Sequence, residues 1–119
     1  MDMTVFWKNE SHKEDYITVM KKLESNDADN YYSSFAYLLT ATGKSDYLME
    51  YLKPMSVNSA KIKEAIQPYS NTERNMILFA LQLFNSEMSD IKISDVFAGL
   101  DSYNHRCVLE AIQIRFGKA

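Results

Sequence analysis

The chain has 119 residues, of which 46% are hydrophobic, and its sixteen acidic and thirteen basic residues give a formal net charge of −3. A length of roughly 100 to 150 residues is typical of one domain around one core, so we predict a single domain over residues 1–119. The charge is not concentrated into a basic half, which disfavours nucleic-acid binding, and it is too small for an acidic mimic of DNA.

The only cysteine, Cys107, has no partner for an intrachain disulfide. A chain of this size with few cysteines is typical of a reducing compartment, so we predict a cytoplasmic location. The first ten residues, MDMTVFWKNE, lack the basic and apolar segments of a secretory signal. No stretch approaches the roughly 18 apolar residues of a membrane span, so we expect no membrane association.

The chain contains only three glycines and two prolines. Its recurring pattern is a Ser, Asn or Asp followed by apolar residues at helical spacing, which predicts an all-α fold of five to seven helices. Ser11 and Glu14 have the spacing of a capping box and predict a first helix over residues 11–25. Phe6 and Trp7 precede it, where large apolar residues commonly pack against the first turns. The segment YYSSFAYLLTATG predicts a second helix that ends at Gly43.

Two short helices are predicted next, one opened by Ser45 and stopped by Pro54, the other opened by Asn58 or Ser59 and stopped by Pro68.

Ser70 and Glu73 have the spacing of a second capping box, which opens a helix over residues 71–85. This helix is apolar nearly all round, and a helix of that kind must be surrounded, so we predict that it is the central element. A short helix near 94–100 follows. Asp101 then caps a last helix, over residues 101–116, that we expect to pack along the central one.

Asp101, His105 and Cys107 are the residue types of a thiol catalytic site. On a helix, however, His105 and Cys107 point about 200° apart, so they cannot contact each other. We therefore predict that His105 is a satisfied, partly buried histidine and that Cys107 is an inert apolar residue. His12 lies beside Tyr16 at the margin of its own apolar stripe, from where it approaches Cys107 only across helices.

Arg115 falls near Val108 and Ala111 on the helical wheel, away from the polar strip, so it needs a partner. Two interpretations stay open: its head binds a carboxylate or the carbonyls of a helix end, or it anchors an acidic ligand. With two histidines, one cysteine and three isolated glycines, we predict no metal site, no cofactor and no catalytic residues.

Eight tyrosines are present, and many lie in the middle third of the chain. Tyrosine is a favoured residue of protein interfaces, and two short helices cannot bury all of these rings. We predict a candidate interface formed by Tyr31, Tyr32, Tyr47 and Tyr51. Its partner would be a host protein or a second copy of the chain in a homodimer.

Four segments together carry a resemblance to a known family: FWKNESHKEDY, YYSSFAYLLTATG, YSNTERNMILFALQLFNS and AGLDSYNHRCVLEAIQIRFG. The chain resembles a family of uncharacterised small helical proteins of Gram-positive bacteria and their phages and plasmids. The features that match lie at Phe6, Glu10 and His12; at Tyr37 to Thr40; at Ser70 to Asn85; and at Leu100, Asp101, Ala111, Ile112, Arg115 and Phe116. The resemblance implies a helical fold and a genetic setting, and it implies no activity.

We therefore expect a small accessory protein of phage or mobile-element origin that acts by binding a host factor or a defence component. Two alternatives stay open: a small enzyme with a site around His12 or His105, and a weak nucleic-acid-binding module. The unexplained polar residues at this stage are His12, His105 and Arg115.

Overall fold

Side-chain caps fix where most of the helices begin. In the computed structural model, which describes residues 5–117, Asp29, Asn58, Ser70 and Asp101 each accept a hydrogen bond from a backbone N–H of the first helical turn that follows. The elements in chain order are α1 Glu10–Leu23, α2 Asn30–Ala41, a 3-10 helix Ser45–Tyr51, β1 Leu52–Lys53, β2 Ser56–Val57, α3 Ser59–Ala65, α4 Asn71–Phe84, α5 Ile93–Phe97 and α6 Ser102–Phe116.

The described residues thus form six α-helices, one 3-10 helix and a two-stranded sheet, which confirms the all-α prediction of five to seven helices. The capping box of Ser70 and Glu73 is also confirmed. The cap of the first helix was wrongly predicted, because Asn9, and not Ser11, accepts the hydrogen bond from the His12 backbone N–H.

The central helix is α2, so the prediction that residues 71–85 are central was wrong. Ten of the twelve residues of α2 are buried, against six of the fourteen residues of α4. Small side chains such as Ser33, Ser34 and Ala36 allow neighbouring helices to approach α2 from several sides. The buried hydroxyls of Ser34 and Thr40 keep hydrogen-bond partners, because each donates to a backbone carbonyl of α2 itself.

Three longer helices, α1, α4 and α6, pack around α2 and run antiparallel to it. At the carboxyl end of α2, the ring of His12 from α1 contacts the Tyr37 carbonyl. At the amino end, the Phe84 ring from the last turn of α4 packs against Tyr32, and Arg115 from the last turn of α6 lies over Tyr31. The amino ends of α1, α4 and α6 therefore gather where α2 ends.

A β-hairpin replaces the end of the helix predicted after Ser45. Leu52 pairs with Val57 and Lys53 with Ser56, and Pro54 and Met55 form the turn. Met55 adopts a φ of 55° and donates its backbone N–H to the Leu23 carbonyl at 2.8 Å. The hairpin thereby ties the segment after the 3-10 helix to the carboxyl end of α1.

Candidate functional site

His12 belongs to a closed set of hydrogen bonds at the start of α1. Its side chain is 2% exposed, its Nδ1 accepts the Lys8 backbone N–H at 3.1 Å, and its Nε2 lies 2.8 Å from the Tyr37 carbonyl oxygen. Nε2 must therefore carry the proton of a neutral ring. The pKa of His12 is lowered from 6.5 to about 4, mainly by burial; the hydrogen bond to the Tyr37 carbonyl opposes this shift, and the nearby Lys8 charge contributes to it. Because both ring nitrogens are occupied, His12 has no free lone pair with which to act as a base.

Lys8 completes this set of contacts, which we call the His12 cluster (Lys8, His12, Tyr37 and Asn104). The Lys8 ammonium donates to the Ala41 carbonyl at the end of α2 at 3.1 Å and to Asn104 Oδ1 on α6 at 2.8 Å. A cation is favoured at a helix carboxyl end, where carbonyls lack helical partners. The lysine was not singled out from the sequence, since nothing in its neighbourhood marks it as a partly buried residue with two acceptors.

The Tyr37 ring lies within the same cluster. Its hydroxyl donates to the Phe6 carbonyl, and its ring centroid lies 4.7 Å from that of His12 and 5.4 Å from that of Trp7. Trp7 also packs on the first turns of α1, as predicted, since its ring centroid lies 5.0 Å from that of His12 and 5.3 Å from that of Tyr16. Phe6 instead packs against α6, where the Arg106 guanidinium lies 4.1 Å from its ring centroid.

A small pocket of about 100 Å³ opens beside the His12 cluster, between the start of α1 and the end of α2. Lys8, His12, Asp15 and Gly43 are among the residues that line it. Ligand sites for metabolites have volumes of roughly 300 to 1,000 Å³. The pocket can therefore hold a few water molecules, but it is smaller than the sites that bind metabolites.

Cys107 and His105 point to opposite sides of α6. Cys107 is buried against α2, and burial raises the pKa of its thiol. His105 is exposed and contacts the Phe97 ring edge at a centroid distance of 5.1 Å. The sequence correctly separated the two side chains, but the prediction that His105 is partly buried was wrong. His105 lies outside the face of α6 that is buried, to which Cys107 and Val108 belong.

Arg115 caps the end of α4. Its Nε donates to the Leu83 carbonyl at 2.9 Å, and its guanidinium lies 3.8 Å from the Tyr31 ring centroid and 4.5 Å from that of Phe116. No carboxylate of residues 5–117 forms an ion pair with it. The first interpretation of Arg115 gave its partner as a carboxylate or a carbonyl at a helix end, and in the structure that partner is a carbonyl.

The four tyrosines of the predicted interface have different environments. Tyr32 is buried against Phe84, so its ring does not contribute to the surface. Tyr31 is exposed at the amino end of α2, whereas Tyr47 is exposed beyond its carboxyl end. Tyr51 is half-buried at the end of the 3-10 helix. The four residues therefore do not form one continuous surface.

Tyr47 and Tyr51 instead join Tyr69, which precedes α4, and Lys44 in what we call the tyrosine patch. The Lys44 ammonium lies 5.6 Å from the Tyr47 ring centroid and 5.5 Å from that of Tyr69, and 3.8 Å from the Glu73 carboxylate. Burial raises the pKa of Tyr69, and the nearby Tyr47, Glu73 and Tyr51 add to this effect. Tyr47 is 68% exposed, so the patch presents a large ring to solvent.

Within residues 5–117, no group of three or more His, Cys, Asp and Glu side chains is placed to hold a metal ion. Of the helices described, none combines the length and the apolar character needed to cross a membrane.

Comparison with known proteins gives one family. Residues 2–119 match the model of a family of unknown function, DUF6075. No curated protein and no solved structure matches the chain. Because the match spans nearly the whole chain, the protein belongs to the DUF6075 family.

Proposed function

We propose that this member of the DUF6075 family acts by binding another protein through the tyrosine patch. The observation that supports the proposal is the placement of Tyr47, which is 68% exposed and is grouped with Tyr51, Tyr69 and Lys44. Tyrosines are enriched among the few residues that supply most of the binding energy of an interface. A large aromatic ring left in solvent gains burial only when a partner covers it.

The backbone beneath the patch favours binding because it is already ordered. Ser45 and Leu48 are buried, so the 3-10 helix is fixed on both sides of Tyr47. The hairpin then holds the segment after Tyr51 against α1. A side chain on a fixed backbone loses less conformational entropy on binding than one on a free loop.

The charges around the patch indicate the chemistry of the partner. Glu50 is the main cause of the raised pKa of Tyr51, Glu64 adds to it, and Glu73 lies beside Lys44. Carboxylates around an aromatic surface favour partners that offer arginine, lysine or amide groups. The same carboxylates oppose phosphate groups, which argues against nucleic acid as the partner.

We propose that this activity takes place in the cytoplasm. The protein would be an accessory factor of a phage or another mobile element, and its partner would be a host factor or a defence component. The free, buried Cys107 supports a reducing compartment. The sequence resemblance described above supports the proposed origin from a phage or another mobile element.

Affinity capture from host lysate tests the proposal. The bait is the wild-type protein beside a Tyr47→Ala, Tyr51→Ala double variant. Tyr103→Ala is the matched control, since Tyr103 is an exposed tyrosine that stacks on Phe6 and is not part of the patch. We expect wild type and Tyr103→Ala to capture the same protein, and the double variant to bind it at least about 30-fold more weakly, which corresponds to roughly 2 kcal/mol.

Circular dichroism and thermal unfolding of all three proteins provide the check on folding. If the double variant is folded and captures as much protein as wild type, the tyrosine patch is not the binding surface. If wild type captures no protein, the proposed function is wrong.

A further inference from the structure

Two rings of the tyrosine patch converge on one position, which the ammonium of Lys44 occupies. Lys44 stands just before the 3-10 helix, and in such a helix side chains three positions apart lie one above the other, so Lys44 faces Tyr47. The ammonium lies 5.6 Å from the Tyr47 ring centroid and 5.5 Å from that of Tyr69. The two rings therefore already accept a cation within the chain itself.

Glu73 turns a carboxylate oxygen toward the same position. Its Oε1 accepts the Ser70 backbone N–H at 3.3 Å in the capping box, and its Oε2 lies 3.8 Å from the Lys44 ammonium. Because the capping box is local to the start of α4, it orients the carboxylate without help from Lys44. We call the space between the Tyr47 ring, the Tyr69 ring and Glu73 Oε2 the cation position.

The contacts that Lys44 makes at the cation position are long. Hydrogen bonds between N–H and O are about 2.7 to 3.2 Å long, so the ion pair at 3.8 Å is not hydrogen-bonded. Both ring distances are close to the limit of roughly 6 Å within which an aromatic face attracts a cation. The side chains of Lys44 and Glu73 are 32% and 31% exposed, so solvent reaches the cation position. A cation that makes closer contacts would therefore displace Lys44.

We propose that the cation position receives an arginine side chain of the partner protein and that Lys44 is an internal competitor, which this arginine displaces. The proposal rests on the proposed function, since it names the group that the tyrosine patch recognises. A guanidinium is planar, so it stacks on a ring and donates to Glu73 Oε2 at the same time. A lysine of the partner would only exchange one ammonium for another, with no gain in contacts.

The charges near the cation position match a basic partner. The 3-10 helix that carries Tyr47 contains Asp46 and Glu50 and no Lys or Arg, and both carboxylates are exposed. Arg74, which follows Glu73, donates to the Gln67 and Tyr69 carbonyls, so its guanidinium is bound elsewhere. Complementary charge of this kind steers a basic segment toward the surface and disfavours acidic partners.

Binding of three synthetic peptides tests the proposal. The peptides have the same length, with arginine, lysine or glutamate alternating with glycine. Nuclear magnetic resonance titration at physiological ionic strength measures the dissociation constants and follows the ring signals of Tyr47 and Tyr69. We expect wild type to bind the arginine peptide at least about threefold more tightly than the lysine peptide, with shifts of both ring signals.

Substitutions at position 44 test the competition. Lys44→Met leaves the cation position open and should bind the arginine peptide at least about fivefold more tightly than wild type. Lys44→Arg fills the position with a guanidinium of the chain itself and should bind the peptide more weakly than wild type. Lys22→Met is the matched control for net charge, because Lys22 is an exposed lysine in the last turn of α1 and not part of the patch. This control should bind nearly like wild type.

Glu73→Gln tests the carboxylate. Glutamine also closes a capping box, so the start of α4 should be retained, whereas binding of the arginine peptide should weaken. Circular dichroism establishes that each variant is folded. If Lys44→Met does not fold, Lys44→Arg decides, and equal or tighter binding by Lys44→Arg contradicts the competition.

The proposal is wrong if wild type does not prefer the arginine peptide to the lysine peptide, or if Lys44→Met binds it no more tightly than Lys22→Met does. Binding of the glutamate peptide that is lost in Lys44→Met would also overturn it and would make Lys44 an anchor for an acidic partner. Capture from lysate separates this failure from failure of the proposed function. Capture that requires Tyr47 but is not strengthened in Lys44→Met leaves the proposed function standing and overturns the arginine proposal alone.

Discussion

The His12 cluster and the tyrosine patch use similar residues for different purposes. Each contains a lysine ammonium and at least one tyrosine ring, and both lie near the carboxyl end of α2. In the His12 cluster, Lys8 donates to Ala41 and Asn104, and both nitrogens of His12 have partners. In the tyrosine patch, Lys44 lies beside two rings that remain partly in water.

Whether the polar groups and rings are enclosed by partners or exposed to water separates structural from functional roles better than residue type does. Removing a partner from a buried polar group costs the full penalty of leaving the other group unsatisfied. Removing an exposed ring costs little until a partner covers it. The same substitution made in both regions should therefore have opposite consequences for folding and for binding.

The largest contrast is expected for tyrosine. Tyr37→Ala should lower the free energy of unfolding by roughly 3 to 5 kcal/mol, because it removes a fully buried ring packed against Trp7 and His12. Tyr47→Ala should change it by no more than about 0.5 kcal/mol. Chemical denaturation of both variants measures the two values.

A loss of more than about 2 kcal/mol in Tyr47→Ala would contradict the contrast, since it would show that Tyr47 supports the fold. Equal stability of Tyr37→Ala and wild type would show that Tyr37 is not part of the core.

The helical fold was predictable because caps and apolar spacing act locally. Asp101 and the box of Ser70 and Glu73 open helices in the structure as they do in the sequence pattern. The central helix was not predictable from apolar content. Ser33 and Ser34 read as a polar face, yet small side chains allow close packing, so α2 and not α4 became central.

The hairpin was not predicted, because Pro54 was interpreted only as the end of a helix and the positive φ of the turn, which is usually marked by Gly or Asn, occurs here at Met55. For the candidate sites, the sequence separated His105 from Cys107 through helical geometry alone. It could not show which side of α6 packs on α2, so the exposure of His105 required the structure. The partners of His12 come from distant positions such as Tyr37, which spacing does not reveal.

The next contrast concerns the two histidines and pH. The pKa of His12 is lowered from 6.5 to about 4 in the folded protein, so the unfolded chain binds the proton first as the pH falls. The stabilisation is complete above pH 6.5 and is lost between about pH 6.5 and pH 4, by about 3 kcal/mol. Urea unfolding at several pH values should therefore show this loss in wild type.

His12→Gln should be less stable than wild type at neutral pH, and the difference between the two proteins should shrink as the pH falls to 4. His105→Gln replaces the exposed histidine of α6 and is the matched control; it keeps His12, so the loss of stability that His12 causes should persist. If the stability difference between His12→Gln and wild type is independent of pH over this range, then His12 is not buried as a neutral ring.

The smallest contrast is that between the two lysines, and it tests whether the ammonium of Lys8 is a structural group. Lys8→Met keeps most of the side-chain stem but leaves the Ala41 carbonyl and Asn104 Oδ1 without their donor, so we expect a loss of about 1 to 3 kcal/mol. Lys44→Met removes a partly exposed ion pair with Glu73 and the contacts of the ammonium with the Tyr47 and Tyr69 rings, and it should cost less than about 1 kcal/mol. Urea unfolding measures both losses.

Lys8→Met should also raise the pKa of His12, because the lysine charge helps to lower it. If both variants lose the same small amount of unfolding free energy and keep the pH dependence of wild type, then Lys8 matters no more than a surface lysine. In that case its ammonium does not stabilise the His12 cluster.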